Sequence, residues 1–216
     1  MTHLDGDGST AAVIVAAGSG TRFGSSKATL TIGGVELWQI SVDRFRSQGI
    51  RDVIVVGDVP GGVPGGERRR DSVAAGLEHA HRSTWVLVHD VARPLAPVSL
   101  ISRVLERLRQ GDVEGVVPVI PVADTVKRVE GETVITTVDR GSLVLVQTPQ
   151  GFSTRALIEA HGLNPADNAT DDAGLIESAG GRVVTVPGDR DNFKITYPDD
   201  LERARWLDRH RGGADG

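Results

Sequence analysis

The sequence contains no cysteine, has few aromatic residues (4%) and offers no long apolar run. The absence of cysteine excludes disulfides, thiolate metal sites and a cysteine nucleophile, and it agrees with the cytoplasmic location that we expect. No segment approaches the roughly 20 apolar residues that a membrane span needs, and the polar N-terminus does not resemble a signal peptide. We therefore expect a soluble protein with no membrane partner.

Basic residues are not in excess either, since 24 Lys and Arg oppose 29 Asp and Glu for a formal net charge of −5. This balance gives no general attraction to nucleic acid, although a local basic pocket can still bind a small anion. The length of 216 residues fits one α/β domain, which we place at residues 11–210. Residues 1–10 and 211–216 are polar and rich in Gly and Asp, and we expect them to be flexible tails.

Short apolar segments alternate with longer helical patterns along the chain. The segments that are apolar on both faces, as parallel strands covered on both sides are, comprise Ala11–Ala16, Asp52–Gly57, Trp85–His89 and Gly115–Val119. Apolar residues recur at helical spacing in Glu36–Gln48, Arg70–His81 and Pro97–Gln110. The alternation predicts an α/β protein with a Rossmann-like three-layer fold and a mainly parallel sheet.

One segment interrupts this alternation. Ala123–Val138 is rich in β-forming residues and carries Glu130-Gly131-Glu132 in its middle, which predicts a β-hairpin. The segment lacks covering helices, so we expect a β-arm at about residues 121–142 that projects from the sheet. Because a two-stranded arm is only marginally stable alone, a second copy of the chain is its natural packing partner.

A glycine-rich segment, Ala16–Lys27, follows the first predicted strand, at the sheet edge where open α/β folds bind ligands. Glycines let main-chain N–H groups approach an anion, and Arg22 and Lys27 add positive charge. A Rossmann dinucleotide fingerprint would need glycine in place of Phe23, and a Walker A loop would need Gly-Lys-Ser or Gly-Lys-Thr around Lys27. A tight turn with solvated charges stays open, but converging features favour a phosphate-binding loop.

Further motifs follow this loop and carry a resemblance to a known family. They are Ala16–Arg22 with Lys27, Gly65–Val73, Val88–Pro94, Asp124–Lys127, Val138–Arg140, Gln147–Phe152, Thr170–Asp172 and Asn192–Thr196. Together they resemble nucleotidyltransferases acting on sugar phosphates and related alcohol phosphates, and in particular the 2-C-methyl-D-erythritol 4-phosphate cytidylyltransferase family. The chain departs from the family's pattern in a shorter loop before Lys27, which Ser26 precedes.

The resemblance implies transfer of a cytidylyl group from CTP to 2-C-methyl-D-erythritol 4-phosphate, with release of pyrophosphate, in non-mevalonate isoprenoid biosynthesis. It implies that Arg22, Lys27 and Lys194 are catalytic and hold the triphosphate, Lys194 from a short strand. The nucleotide would also be bound by the glycine loop and by a cytosine-recognition segment, with residues Ala16, Ala17, Gly18, Gly20, Gly65, Gly66, Arg69 and Ser72. A helix N-cap is the alternative role for Ser72. The arginine run 68–70 is otherwise typical of a solvated face.

The second substrate and the metal are expected at other residues. Asp90 follows an apolar strand and would bind Mg²⁺, which prefers one or two carboxylates together with phosphate oxygens and water, and it would also contact the methylerythritol hydroxyls. A turn cap is the alternative for Asp90, and Arg93 fits either a substrate contact or a structural ion pair. By resemblance, Thr125 and Arg140 bind methylerythritol phosphate in the partner subunit's site. Family and arm together therefore predict a homodimer with composite sites.

Other functions remain open at this point. A ribitol 5-phosphate cytidylyltransferase would share the nucleotide half of the site and differ at the second substrate. The shortened loop before Lys27 also admits a noncatalytic nucleotide-binding homologue. A dinucleotide-dependent oxidoreductase is opposed by Phe23 and by the lack of an acidic residue suited to binding ribose.

Overall fold

The computed structural model describes residues 8–18, 27–163 and 169–211. The strands are β1 (Thr10–Val15), β2 (Thr31–Ile32), β3 (Val35–Glu36), β4 (Asp52–Val56), β5 (Trp85–Asp90), β6 (Gly115–Pro121), β7 (Val126–Glu130), β8 (Thr133–Val138), β9 (Val144–Val146), β10 (Gln150–Ser153) and β11 (Val183–Pro187). The helices are α1 (Leu37–Ser47), α2 (Arg69–Ala80), α3 (Val98–Leu108), α4 (Thr154–Leu163), α5 (Asp172–Ser178) and α6 (Pro198–Arg211), and a 3-10 turn covers Lys27–Thr29.

The central sheet has the strand order β11-β6-β10-β5-β1-β4, and β9 pairs with β6 beside it. Strand β1 runs parallel to both β4 and β5, and β11 runs parallel to β6. Strand β10 lies antiparallel between β5 and β6, so it joins two parallel halves. The carboxyl ends of β1, β4 and β5 consequently meet at one edge of the sheet, where open α/β folds bind ligands.

The sheet is covered on both faces, and strand β1 shows the division most clearly. Ala11 and Val13 pack into a cluster with the apolar side chains of α2, α4 and α5. Ala12 and Ile14 point to the opposite face, where α1, α3 and α6 supply the apolar side chains. Successive side chains of a strand point to opposite faces of the sheet, and both faces are covered here, so consecutive residues of β1 are apolar. These two clusters make the fold a three-layer α/β structure, which confirms the predicted fold class.

The predicted hairpin arm is formed by β7 and β8, which pair only with each other among the described strands. Gly131 has a φ of +55° at its tip, a conformation that glycine adopts without strain. The arm carries large apolar side chains on its surface, with Val129, Val134 and Ile135 each at least half exposed. A surface of this kind is typical of an interaction site.

The sequence predicted the central elements closely but not every boundary. The bounds of β1, β4, β5, β6, α1, α2 and α3 agree with prediction within one or two residues. Thr10 belongs to β1 and residue 211 ends α6, so each predicted tail includes one residue of regular structure. Most of the other residues of the two predicted tails lie outside the described residues. None of the helices in the described ranges is long and apolar enough to cross a membrane.

Candidate active site

Two cavities meet at the carboxyl edge of the sheet. The first has a volume of about 570 Å³ and is bordered by the loop after β1 and by the segment that leads into α2. The second has a volume of about 430 Å³ and extends towards β10 and α5. Both volumes fall in the range of small-molecule sites. Arg69, Asp90 and Lys194 line both cavities and form the wall between them.

Asp90 is the last residue of β5 and lies at the centre of this wall. Its Oδ1 accepts a hydrogen bond from Arg69 Nε at 3.1 Å, and its Oδ2 accepts one from Lys194 Nζ at 2.7 Å. Burial raises the pKa of the Asp90 carboxyl, but the two neighbouring cations outweigh burial and hold its pKa well below the usual range. Asp90 is therefore a buried carboxylate that stays ionised at neutral pH.

The backbone of Asp90 is fixed by a second network. Its N–H donates to Thr148 Oγ1 at 3.0 Å, and the same hydroxyl is hydrogen-bonded to His89 Nδ1 at 3.1 Å. Burial is the main cause that lowers the pKa of His89, from 6.5 to about 4. A neutral histidine and a threonine thus hold the chain just before and at Asp90. In the described part of the chain the Asp90 carboxylate accepts from Arg69 and Lys194, which differs from the turn cap considered as its alternative role.

The segment before α2 approaches the loop after β1 very closely. A Cβ on Gly65 would lie 2.2 Å from Ala17 Cβ, and a Cβ on Gly66 would lie 2.4 Å from Asp71 Cβ. Only glycine fits at these two positions without displacing the neighbouring chain. Ser72 Oγ accepts a hydrogen bond from Gly66 N at 3.1 Å and thereby holds the turn.

Helix α2 follows this turn, and its first residues differ from the alternative in which Ser72 is the N-cap. Arg68 is the N-cap residue of α2, so the N-cap role considered for Ser72 is wrong. The arginine run 68–70 is also not a purely solvated face. Arg69 reaches Asp90, and Arg70 is buried and donates to the carbonyl of His161 at 2.9 Å. The fold turns these two arginines inwards and leaves Arg68 paired with Asp71 at the surface.

The glycine loop contributes to the first cavity through its two described ends. Ala16, Ala17 and Gly18 line the cavity after β1, and Lys27 lines it at the other end of the loop. Lys27 Nζ donates to the carbonyl of Ile195 at 2.8 Å, which brings it next to Lys194 in the chain. The predicted residues Gly20 and Arg22 lie outside the described residues.

Lys194 lies in an irregular segment, so the prediction of a short strand there is wrong. The segment is fixed by a hydrogen bond from Ile195 N to the carbonyl of Ala92 at 2.8 Å. Because Ala92 lies only two residues beyond Asp90, the last residue of β5, this bond holds Lys194 opposite Asp90. The side chain of Lys194 is 46% exposed, which leaves its ammonium accessible from both cavities.

Arg93 lines the second cavity only. Its guanidinium donates to the carbonyls of Asn192 and Val146, at 2.7 and 3.2 Å, and not to a carboxylate in the described part of the chain. Burial lowers the pKa of Arg93, and Asp90 opposes this effect. Within the described residues, main-chain carbonyls rather than a structural ion pair therefore hold Arg93, and its guanidinium lies beside the second cavity.

Thr125 and Arg140 lie at the base of the arm, and both are exposed. The Arg140 guanidinium donates to the carbonyl of Ala123, which ties the two ends of the arm together. Neither residue lines either cavity of its own chain. Their exposure leaves them available to a neighbouring molecule.

A divalent metal fits this site only if a bound substrate supplies some of its oxygen ligands. The described residues contain no group of three or more His, Cys, Asp or Glu side chains that could hold a metal ion by themselves. Asp90 offers one ionised carboxylate at the junction of the cavities, and each of its oxygens keeps a further lone pair. Mg²⁺ bound to phosphates needs little more, because it takes one or two carboxylates and completes its shell with phosphate oxygens and water.

Sequence reasoning missed several residues that build this centre. Thr148 and Asp172 lie in motifs that were recognised, but no pattern indicated that they contact the Asp90 backbone and Arg69. His161 had no signal at all, since it lies in a helix that the sequence did not predict. The positions of all three depend on how distant elements pack together.

Comparison with known proteins agrees with this geometry. The family model IspD, described as 2-C-methyl-D-erythritol 4-phosphate cytidylyltransferase, matches residues 10–209. An enzyme of that name from Nocardia farcinica is 43% identical, with 96% of this chain and 97% of the relative covered. A bifunctional IspD/IspF enzyme from Granulibacter bethesdensis is 42% identical over 89% of this chain and 54% of its own length. The crystal structure of the Thermus thermophilus cytidylyltransferase superposes with a TM-score of 0.78 at 39% identity, covering 91% of this chain and 98% of that one.

Proposed function

The chain belongs to the 2-C-methyl-D-erythritol 4-phosphate cytidylyltransferase family, and from this premise we propose how its two cavities serve the reaction. The enzyme transfers a cytidylyl group from CTP to 2-C-methyl-D-erythritol 4-phosphate in isoprenoid biosynthesis. A phosphate oxygen of the acceptor attacks the α-phosphorus of CTP, and the bond to the leaving pyrophosphate breaks. CTP occupies the first cavity and the acceptor occupies the second.

The observation that carries this assignment is the shared wall of Arg69, Asp90 and Lys194. Two polyanions have to approach each other during the transfer, and positive charge at their meeting point offsets their repulsion. Lys194 reaches that point from one side, and Lys27 approaches it from the glycine loop. Arg22 is the third catalytic cation in this proposal, and with Gly20 it carries the phosphate-binding role expected of the loop.

The cytosine ring lies against the segment of Gly65 and Gly66 in this proposal. Glycines there leave main-chain groups open to the edge of the base, and Ser72 holds the turn in shape. Ala16, Ala17 and Gly18 face this segment across the cavity and contact the nucleotide. Main-chain groups that satisfy the amino group and ring carbonyl of cytosine discriminate against uracil, because a mismatched base leaves buried polar groups unpaired.

Mg²⁺ is the cofactor that we propose, with Asp90 as its protein ligand. When bound, the ion supplies charge neutralisation for the phosphates of CTP. Asp90 suits this role because it remains ionised, and Arg69 and Lys194 hold its two oxygens in a fixed orientation. The backbone hydrogen bond to Thr148 keeps the carboxylate at the junction.

The acceptor is held by residues of two chains in this proposal. Arg93 and Asp90 contact it from the chain that binds CTP, and Thr125 and Arg140 contact it from the arm of a second copy. The exposed apolar side chains of the arm favour a homodimer, since they gain burial against a partner. We also propose a cytoplasmic location for the protein.

Pyrophosphate release tests the choice of substrates. With CTP and Mg²⁺ we expect turnover of 2-C-methyl-D-erythritol 4-phosphate and at most weak turnover of ribitol 5-phosphate, measured with a coupled pyrophosphatase assay. UTP in place of CTP is the matched control for the base. Turnover of ribitol 5-phosphate alone would assign the alternative cytidylyltransferase, and binding of CTP without any turnover would assign a noncatalytic homologue.

Subunit complementation tests the composite site. Arg140→Ala and Lys194→Ala chains are each expected to be nearly inactive, but mixing them after dissociation gives heterodimers with one intact site. With random pairing, about a quarter of the wild-type activity is expected to return. Mixing Arg140→Ala with Thr125→Ala is the control that restores no complete site, because both changes affect the arm. Failure of the first mixture, with heterodimers verified by mass spectrometry, would show that Arg140 serves its own chain.

A further inference from the structure

The guanidinium of Arg69 is divided between two carboxylates on different elements. Its Nε donates to Asp90 Oδ1 at 3.1 Å, and its Nη1 donates to Asp172 Oδ2 at 2.7 Å. Asp90 ends β5, whereas Asp172 begins α5. An arginine commonly directs its paired N–H groups at a single carboxylate. The division fixes the plane of this guanidinium relative to two parts of the fold at once.

Asp172 is itself held firmly. It is completely buried, and its second oxygen lies 3.2 Å from His161 Nε2. His161 belongs to α4 and its side chain is only 7% exposed. Burial raises the pKa of Asp172, but His161 and Arg69 outweigh this effect and keep its pKa below the usual value. The result is a chain of contacts, His161–Asp172–Arg69–Asp90, that runs from the helical layer to the wall between the cavities.

We propose that Asp172, supported by His161, is a positioning residue that holds the Arg69 guanidinium at the wall shared by the two cavities. This inference rests on the proposed function, in which those cavities bind CTP and the acceptor. Without the Asp172 carboxylate, the Arg69 guanidinium is free to rotate and to form two parallel hydrogen bonds with Asp90. Asp90 is then less available to the substrates, and the cation between the two cavities is displaced.

A double-mutant cycle tests whether Asp172 acts through Arg69. Asp172→Asn keeps the shape of the side chain and removes its charge, and we expect kcat to fall by about tenfold or more with a smaller change in the KM for CTP. In an Arg69→Lys background the same change should have little further effect, because the guanidinium it positions is already absent. Full additivity of the two effects would overturn the proposal. Asp112→Asn is the matched control, since Asp112 pairs with Arg107 at the surface and should keep wild-type activity.

The position of Arg69 can also be observed without catalysis. In a ¹H–¹⁵N spectrum, the Nε–H signal of Arg69 should shift and exchange faster with water in Asp172→Asn than in the wild type. If Asp172→Asn does not fold, His161→Phe supplies the same test, because His161 supports Asp172 from the far end of this series of contacts. We expect a smaller effect in the same direction. An unchanged Arg69 signal in the folded variant would refute the positioning role. A different outcome is a perturbed Arg69 signal in Asp172→Asn while the wild-type protein shows no turnover of CTP with 2-C-methyl-D-erythritol 4-phosphate. That result would support the positioning role of Asp172 and reject the proposed function.

Discussion

Lys194→Ala should lower kcat by about 10²- to 10³-fold, which is the loss typical of removing one group that stabilises charge in a transition state. Lys194 Nζ lies 2.7 Å from Asp90 Oδ2, at the junction of the two cavities. In the proposed arrangement, negative charge builds up there between the leaving pyrophosphate and the acceptor phosphate. The interaction forms most strongly in the transition state, so kcat should fall much more than KM rises. Lys27→Ala, which removes the neighbouring cation, should act in the same direction.

Controls separate this effect from a general change in charge. Arg155 lies exposed on α4, where it pairs with Glu159, so Arg155→Ala removes an equal charge away from both cavities and from the arm. Lys194→Arg keeps the charge but replaces a compact ammonium with a planar fork, and it should recover only part of the activity. Single-turnover measurements with saturating CTP report the chemical step directly. Near wild-type turnover of Lys194→Ala would exclude Lys194 from the transferring phosphate.

The central sheet could be predicted from sequence because its strands are buried on both faces. Continuous apolar runs such as those of β1 and β5 have few other interpretations in an alternating chain. Strand β10 could not be recognised in this way. Its four residues, Gln150–Ser153, mix polar and apolar types, and Gly151 is required there because a Cβ would lie 2.7 Å from Val104. That close approach exists only after α3 has packed onto the sheet.

The candidate site shows the same limit at the level of single residues. Motifs indicated that Asp90 and Lys194 belong to one site, and the structure brings their side chains into contact. The arginine run 68–70 gave no sign of which member turns inwards. Arg69 reaches the junction because α2 begins at that residue, which aims its side chain along the sheet edge towards Asp90 and Asp172. The direction of a side chain at a helix start depends on where the helix starts, and the sequence placed that start one residue later.

The buried histidine beside the site should make stability depend on pH in a defined window. Burial, more than any neighbouring charge, lowers the pKa of His89 to about 4 from its ordinary value of 6.5. Between pH 6.5 and pH 4, the His89 imidazole is protonated in the unfolded chain but stays neutral in the folded protein. The free energy of unfolding should therefore decrease as the pH falls from 6.5 to 4, by about 3 kcal/mol in total, and this contribution should be constant below pH 4.

Replacing the histidine isolates this contribution. In His89→Asn, the amide can still contact Thr148 but cannot titrate, so the loss of stability between pH 6.5 and 4.5 should be smaller than in the wild type by about 2 to 3 kcal/mol. Urea denaturation at a series of pH values measures this difference, and His79→Asn, at an exposed position on α2, is the matched control. Asp90 and Asp172 do not mask the effect. Their pKa values lie below the ordinary carboxyl value of 3.8, so the stability they contribute is lost only as the pH falls below that value. Parallel curves for wild type and His89→Asn would show that His89 is protonated as easily in the folded protein as in the unfolded chain.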